Sequence, residues 1–204
     1  MEAIEVWKKK DEVLEIHLDD NPESPREWDN LGIMLCGHRS YELGDEQFNS
    51  REELDARLGE LDPVIKLPLW LLDHSGLTMQ TGSFASDAQQ WDSGQVGWIV
   101  ATKKDILDNF TGYYRTGKNR GKRKPMRTLL SPRMIKNAEE ILRGEVETYS
   151  CYLAGDVYGY IIEKQSTCDK CKNISSDATD SCWGFYNLEF MWDYVGGKKG
   201  WVQQ

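Results

Sequence analysis

Apolar and polar residues alternate along 3–7 and again along 13–18, with the charged residues 8–11 between them, which is the pattern of an opening β-hairpin. Residues 21–29 carry two prolines and read as an irregular connection, and 32–36 as a short buried strand. Ser50-Arg51-Glu52-Glu53 is a capping-box pattern, and Leu54, Leu58 and Leu61 follow it at helical spacing until Pro63 stops the helix. Residues 67–72 form an apolar run suited to a buried strand, with Pro68 placing it at a sheet edge or at the strand start. Asp73-His74-Ser75-Gly76 turns the chain, and 77–81 returns as its partner. A further apolar strand is expected over 96–101, leading through Thr102-Lys103-Lys104-Asp105 into a short helix with Ile106, Leu107 and Phe110.

The strongest helical pattern begins at Ser131-Pro132. Ile135, Ala138, Leu142, Val146, Tyr149 and Leu153 lie on one stripe, and Gly155 supplies a stop. Residues 156–162 and 181–186 alternate as two strands joined by a polar, cysteine-containing hairpin loop, 163–180, and the tail is aromatic and glycine-rich. Strands and helices in this order predict an α+β fold, a single domain over 1–204 with a mixed or antiparallel sheet and about three helices packed on it. Its 204 residues suffice for one real core, and the residues 115–127 read as an inserted loop.

Charge sharpens this picture. The formal net charge of −9 argues against a protein that wraps nucleic acid with its whole surface. It is also unevenly spread: residues 11–63 hold sixteen acidic residues against four arginines, whereas 115–127 holds seven basic residues and no acidic one. Such blocks are either solvated faces or sites for partners of opposite charge. The longest clear apolar run, 67–72, is far shorter than the roughly 18 residues of a membrane span, and the N-terminus has no apolar signal core, so a soluble, cytoplasmic protein is expected.

The candidate chemistry lies in four places. Asp29, Asp73, His74 and Asp92 sit in turns, Trp28-Asp29-Asn30, Asp73-His74-Ser75-Gly76 and Trp91-Asp92-Ser93-Gly94. Carboxylates and imidazoles meeting at strand ends can hold a divalent cation and activate water, but aspartates also cap turns with no ligand involved. Cys36 and His38 are two apart, so on a strand they would share a face, as a nucleophile and base or as a buried thiol and a hydrogen-bonded imidazole. Cys168-Asp169-Lys170-Cys171 has the spacing that lets two thiolates reach one zinc, with Cys182 eleven residues on as a third ligand; reduced cysteines in a loop and a redox pair are the alternatives. In the basic loop, Arg115, Lys118, Arg120, Lys122, Arg123 and Lys124 stand near Tyr113 and Tyr114, a combination that stacks on bases and neutralises phosphate in single-stranded nucleic acid. Five cysteines scattered along the chain do not form a disulfide framework.

The string Asn21-Pro22-Glu23-Ser24-Pro25-Arg26-Glu27-Trp28-Asp29-Asn30-Leu31-Gly32, then His38-Arg39, Tyr41 and Leu43-Gly44-Asp45-Glu46, resembles a family of small proteins encoded by bacteriophages and prophages. So do Trp91-Asp92-Ser93-Gly94-Gln95-Val96-Gly97 and Asp180-Ser181-Cys182-Trp183-Gly184-Phe185, together with 69–76 and 147–159. The family has no assigned activity. The resemblance implies an accessory protein in a bacterial host cell, where proteins of this size act against host defence or redirect host machinery by binding. The expected function is therefore protein–protein binding through an acidic surface, inhibiting a nucleic-acid-targeting defence complex of the anti-CRISPR or anti-restriction type. The expected partner is a host protein or ribonucleoprotein complex, contacted through residues including Asp29, His38, Arg39, Asp73, His74 and Asp92, with local nucleic-acid contact through the basic loop. The alternative is a small metal-dependent hydrolase or nuclease using the Asp/His turns. One structural zinc, or no cofactor, completes the expectation.

Overall fold

In the computed structural model the described residues are 2–110, 118, 129–168 and 170–204. The fold is α+β. By its internal contacts the chain resolves into two compact units, one formed by Met1–Ser24 with Cys151–Gln204 and the other by Pro25–Ser150. No described helix is long and apolar enough to cross a membrane.

The first unit is a five-stranded antiparallel sheet in the order β10-β1-β2-β8-β9. Its members are β1 (Glu5–Lys9), β2 (Glu12–Leu18), β8 (Tyr158–Thr167), β9 (Ile174–Phe185) and β10 (Val202–Gln203). The opening hairpin forms as its alternation predicts, with Lys10 in the left-handed region at its turn (φ 57°). One sheet face carries Leu14, Ile16 and Tyr160 beneath Met191, Trp192 and Trp201, all buried. The cover comes from α4 (Leu188–Tyr194), capped by the Asn187 side chain, an element the aromatic tail concealed. Trp7 meets Trp192 edge-on at 5.0 Å, and Lys198 lies over both rings. On the opposite face Gly159 leaves room for the Trp183 ring: a Cβ there would stand 2.0 Å from Trp183 Cε3.

The expected cysteine-containing loop over 163–180 is mostly strand. β8 and β9 pair from Tyr158↔Phe185 to Thr167↔Ile174, with register shifts at Tyr158/Tyr160 and Ile162/Glu163, so the two strands end at Thr167 and begin at Ile174. Serines, threonines and aspartates on β9 had hidden the strand, because β9 is an edge strand exposed along almost its whole length and needs no apolar alternation.

The second unit holds the other five-stranded sheet, β4-β3-β7-β5-β6. Its strands are β3 (Ile33–Cys36), β4 (Glu46–Gln47), β5 (Ile65–Asp73), β6 (Leu77–Thr81) and β7 (Ser93–Ala101); β3 and β4 are parallel and the other pairs antiparallel. β5 is internal, contrary to the edge or strand-start position that Pro68 suggested. The reason is local: Leu69↔Thr81 is the end of the β6 pairing, so Pro68 lies one residue past it, where no ladder donor is required, and its carbonyl still accepts the Gly82 amide.

Two helices cover this sheet. On one face α1 (Arg51–Leu61) packs Leu54 and Leu58 against Leu35 and Val100; Ser50 caps its start, and Asp62 ends it in the left-handed region before Pro63. A capping box at Thr102 and Asp105 starts α2 (Lys103–Asn109). On the other face lies α3 (Pro132–Ala154), whose buried stripe is Met134, Ala138, Leu142, Val146 and Tyr149, close to the sequence-predicted stripe. Its fit depends on Gly32, where a Cβ would come within 2.2 Å of Leu142 and 2.8 Å of Ile99.

A buried polar knot fixes the same layers. Arg26 donates to both carboxylate oxygens of Asp45 (3.0 and 2.6 Å), to Glu145 (3.4 Å) and to the Gly32 carbonyl (2.7 Å). Glu145 in turn accepts the amides of Leu31 and Gly32, and Asp45 accepts that of Met34. Arg26→Met strands both carboxylates. It is expected to cost about 3 kcal/mol, the lower end for breaking a buried pair because the Asp45 side chain keeps 24% exposure, as read by urea denaturation.

Candidate functional site

His38, Asp73, His74 and Asp92 lie at the end of the second unit's sheet where β3 leaves, β5 turns into β6, and β7 begins. β5 ends in Asp73, whose amide donates to the Asp92 carbonyl at 2.8 Å. This backbone bond brings the turns 73–76 and 91–94 side by side. The His74 ring nitrogen Nδ1 then lies 3.1 Å from Asp92 Oδ2, an exposed pair. Tyr41 donates its hydroxyl to Asp73 at 2.8 Å, and His38 stacks on the Tyr41 ring with centroids 4.9 Å apart. The acceptor carboxylate beside it raises the Tyr41 hydroxyl above its ordinary pKa, so this tyrosine is a poor base at neutral pH.

The loop that presents Trp91 and Asp92 is held by an acid the sequence did not single out. Asp87 accepts the backbone amides of Trp91, Asp92 and Ser93 at 3.1, 3.0 and 2.8 Å. Burial opposes its ionisation, but the three amides and the Ser93 hydroxyl outweigh that, and its pKa lies below the usual carboxylate value. The Trp-Asp-Ser-Gly string is thus a turn organised from behind, leaving Trp91 81% exposed.

Beside His38 lies a cavity of ≈ 450 Å³, within the range of small-ligand sites. Gly37, His38 and Arg39 form one wall, Asn49, Ser50 and Arg51 at the start of α1 another, and Phe48, Val96 and Trp98 its apolar part. Arg39 and Arg51 are exposed, and Asp55, the acidic residue on this lining, lies 3.7 Å from Arg51. Two guanidinium groups next to aromatic rings suit an acidic or phosphate-bearing group that presents a flat surface. Of these, His38 and Arg39 were legible as candidates. Arg51 and Trp98 were not, because one reads as an ordinary helix-start residue and the other as part of an apolar strand.

Other candidates fall apart. Asp29 is exposed in the loop before β3, where Asn30 closes the turn by donating to the carbonyls of Pro25 and Trp28, and Asp29 shares no hydrogen bond with Asp73, His74 or Asp92. Among the described residues no three histidines, cysteines, aspartates or glutamates gather as a metal would require. Cys36 is fully buried, and desolvation pushes its thiol up to about 12, so it is no nucleophile for His38 to activate.

The three proposed zinc ligands separate. Cys168 and Cys171 occupy the β8–β9 turn, whereas Cys182 pairs opposite Tyr160, eight residues along β9 from Ile174 and therefore roughly 25 Å away. Cys182 packs into the first unit's core. Of the basic-loop candidates, Lys118 is exposed in a turn, and Arg115, Arg120, Lys122, Arg123 and Lys124 lie outside the described residues.

Asp87 gives the site a pH dependence. A carboxylate whose folded pKa is depressed adds stability above its unfolded value and loses it as pH falls, so the 91–93 amides are expected to lose hydrogen-exchange protection as pH drops below 3.8. Asp87→Asn is expected to weaken that protection already at neutral pH and to flatten the dependence. Compared with known proteins, the chain matches no family model, no curated protein and no solved structure.

Proposed function

We propose that this chain is a phage- or prophage-encoded accessory protein that works in the cytoplasm of a bacterial host by binding. Its partner is a host protein or ribonucleoprotein complex that targets nucleic acid, and it blocks that complex by presenting carboxylates where phosphates would lie. The observation that carries this reading is the outer face of α1, where Glu52, Glu53, Asp55 and Glu60 are exposed on one short helix and Asp62 is exposed at its C-cap.

Internal pairing separates Glu52, Glu53 and Asp62 from the others of the acidic block, whereas Glu60 accepts a hydrogen bond from Arg57 at 3.2 Å on the helix surface. Asp45 is spent on Arg26, and Glu46 lies 2.9 Å from Arg57 and accepts two of its hydrogen bonds. By contrast, the Arg51–Asp55 contact is long and exposed, and pairs of that kind contribute little. The face also carries its own orientation signal. Arg39 and Arg51 border the cavity at the N-terminal end of the same helix, so a carboxylate or phosphate of the partner has a fixed place beside the acidic row. The basic stretch 115–127 adds local contact with nucleic acid bound in the same complex.

A hydrolase using the Asp/His turns is disfavoured by how those groups are occupied. Tyr41 donates to Asp73 and His74 lies 3.1 Å from Asp92, so each of these carboxylates already has a side-chain partner.

The test is a bacterial host carrying restriction or CRISPR immunity, infected with a phage that the immunity recognises. Expressing this protein is expected to raise plating efficiency. The triple variant Glu52→Lys, Asp55→Lys, Glu60→Lys is expected to lose at least tenfold of that effect while keeping its circular dichroism, and binding to the purified defence complex is expected to weaken steeply with salt. A triple variant as active as the parent overturns the reading.

A further inference from the structure

The β8–β9 turn is built to present two sulfurs outward. Lys172 donates its amide to the Cys168 carbonyl at 2.9 Å, Cys168 donates its own to Asn173 at 2.9 Å, and Lys172 is in the left-handed region at φ 59°. These contacts fold the chain back tightly after Cys171. The strands beneath are fastened by a 2.7 Å contact between the hydroxyls of Ser166 and Ser175. Pairing of β2 with β8 ends at Glu12↔Lys164, so Ser166 and Thr167 extend past β2 and pair with β9 alone. Both cysteines are reduced and exposed at the tip of this arm.

We propose that the Cys168–Cys171 turn is half of a zinc site, and that the same turn of a second copy of this chain completes a four-thiolate centre linking the two tips. A closed zinc site needs four ligands, and the turn supplies two at the right spacing. Cys182 is far along the strand, and no third ligand gathers with these cysteines among the described residues.

Three features of the tip favour a second copy. A zinc ion with four thiolates carries a charge of −2, and Lys170 and Lys172 on each chain sit beside the cysteines to offset it. Those lysines also make the tip a place where two chains of net charge −9 can approach. Ile174, the first residue after the turn to pair in β9, is 67% exposed and would be covered when two tips meet. Binding replaces the thiol protons with the metal and releases them to solvent, with no change of oxidation state.

The experiment uses the full chain, kept reduced and stripped of metal, titrated with zinc alone while mass is followed by light scattering and bound metal by elemental analysis. The expected result is one zinc per two chains, a doubling of mass on addition, and reversal by a chelator. Cys168→Ser and Cys171→Ser are each expected to abolish both effects without altering circular dichroism, and Cys182→Ser to retain them. Cobalt in place of zinc is expected to give the sulfur-to-metal absorption of a tetrahedral thiolate centre. One zinc per chain without a mass change overturns the proposal, as does no zinc uptake or a dimer indifferent to the chelator.

Discussion

The second unit depends on one buried arginine. Arg26 draws together the carboxylates of Asp45 and Glu145 and the Gly32 carbonyl, segments far apart in sequence. Each acid also accepts backbone amides at the start of β3, so the knot fixes the entry of that strand to α3 on one side and to the approach to β4 on the other. Burial pushes the Glu145 carboxyl above its usual range, opposed by the Leu31 amide, the Arg26 charge and the Gly32 amide. The arrangement is therefore a compensated cost whose return is specificity: a guanidinium with a rigid fork satisfies one register of these segments and few others.

The candidate surface inherits its geometry from that register. With β3 fixed, its C-terminal end delivers His38 and Arg39 to the cavity, and the parallel strand β4 delivers the chain to Ser50 and the start of α1. Gly97 is required at the same place, since a Cβ there would stand 1.9 Å from the Leu35 carbonyl oxygen and push β7 away from β3. The acidic block is sorted by the same packing into acids that hold the fold and acids that face solvent. This sorting turns part of a net charge into a surface: Glu52, Glu53, Asp55 and Glu60 face solvent on α1, and two cations flank its first turn.

Much of the architecture was legible because periodicity reports burial. The Leu54, Leu58 and Leu61 spacing, the Ser50 cap and the Pro63 stop placed α1, and the stripe through Ala138, Leu142, Val146 and Tyr149 placed α3. Elements that bury little escaped. β9 is an exposed edge and lacks alternation, β4 and β10 are two residues each, and α4 is a single short segment in an aromatic tail. Pro68 misled for a different reason, since a missing donor excludes a ladder bond on one side of one residue and not the whole strand from the sheet interior.

For the candidate residues, the sequence by itself determined which side chains can do chemistry and which turns hold them. It set the two-residue spacing of Cys168 and Cys171, the Asp and His residues at strand ends, and the segregation of charge, all properties of local covalent order. Only the tertiary structure decided which of these meet. Hydrogen bonds between neighbouring turns bring His74 to Asp92 and Tyr41 to Asp73, whereas strand length carries Cys182 away from the other two cysteines. Internal partners also decide which acids remain free to meet another molecule, because a carboxylate's role depends on what packing places within a few ångströms of it.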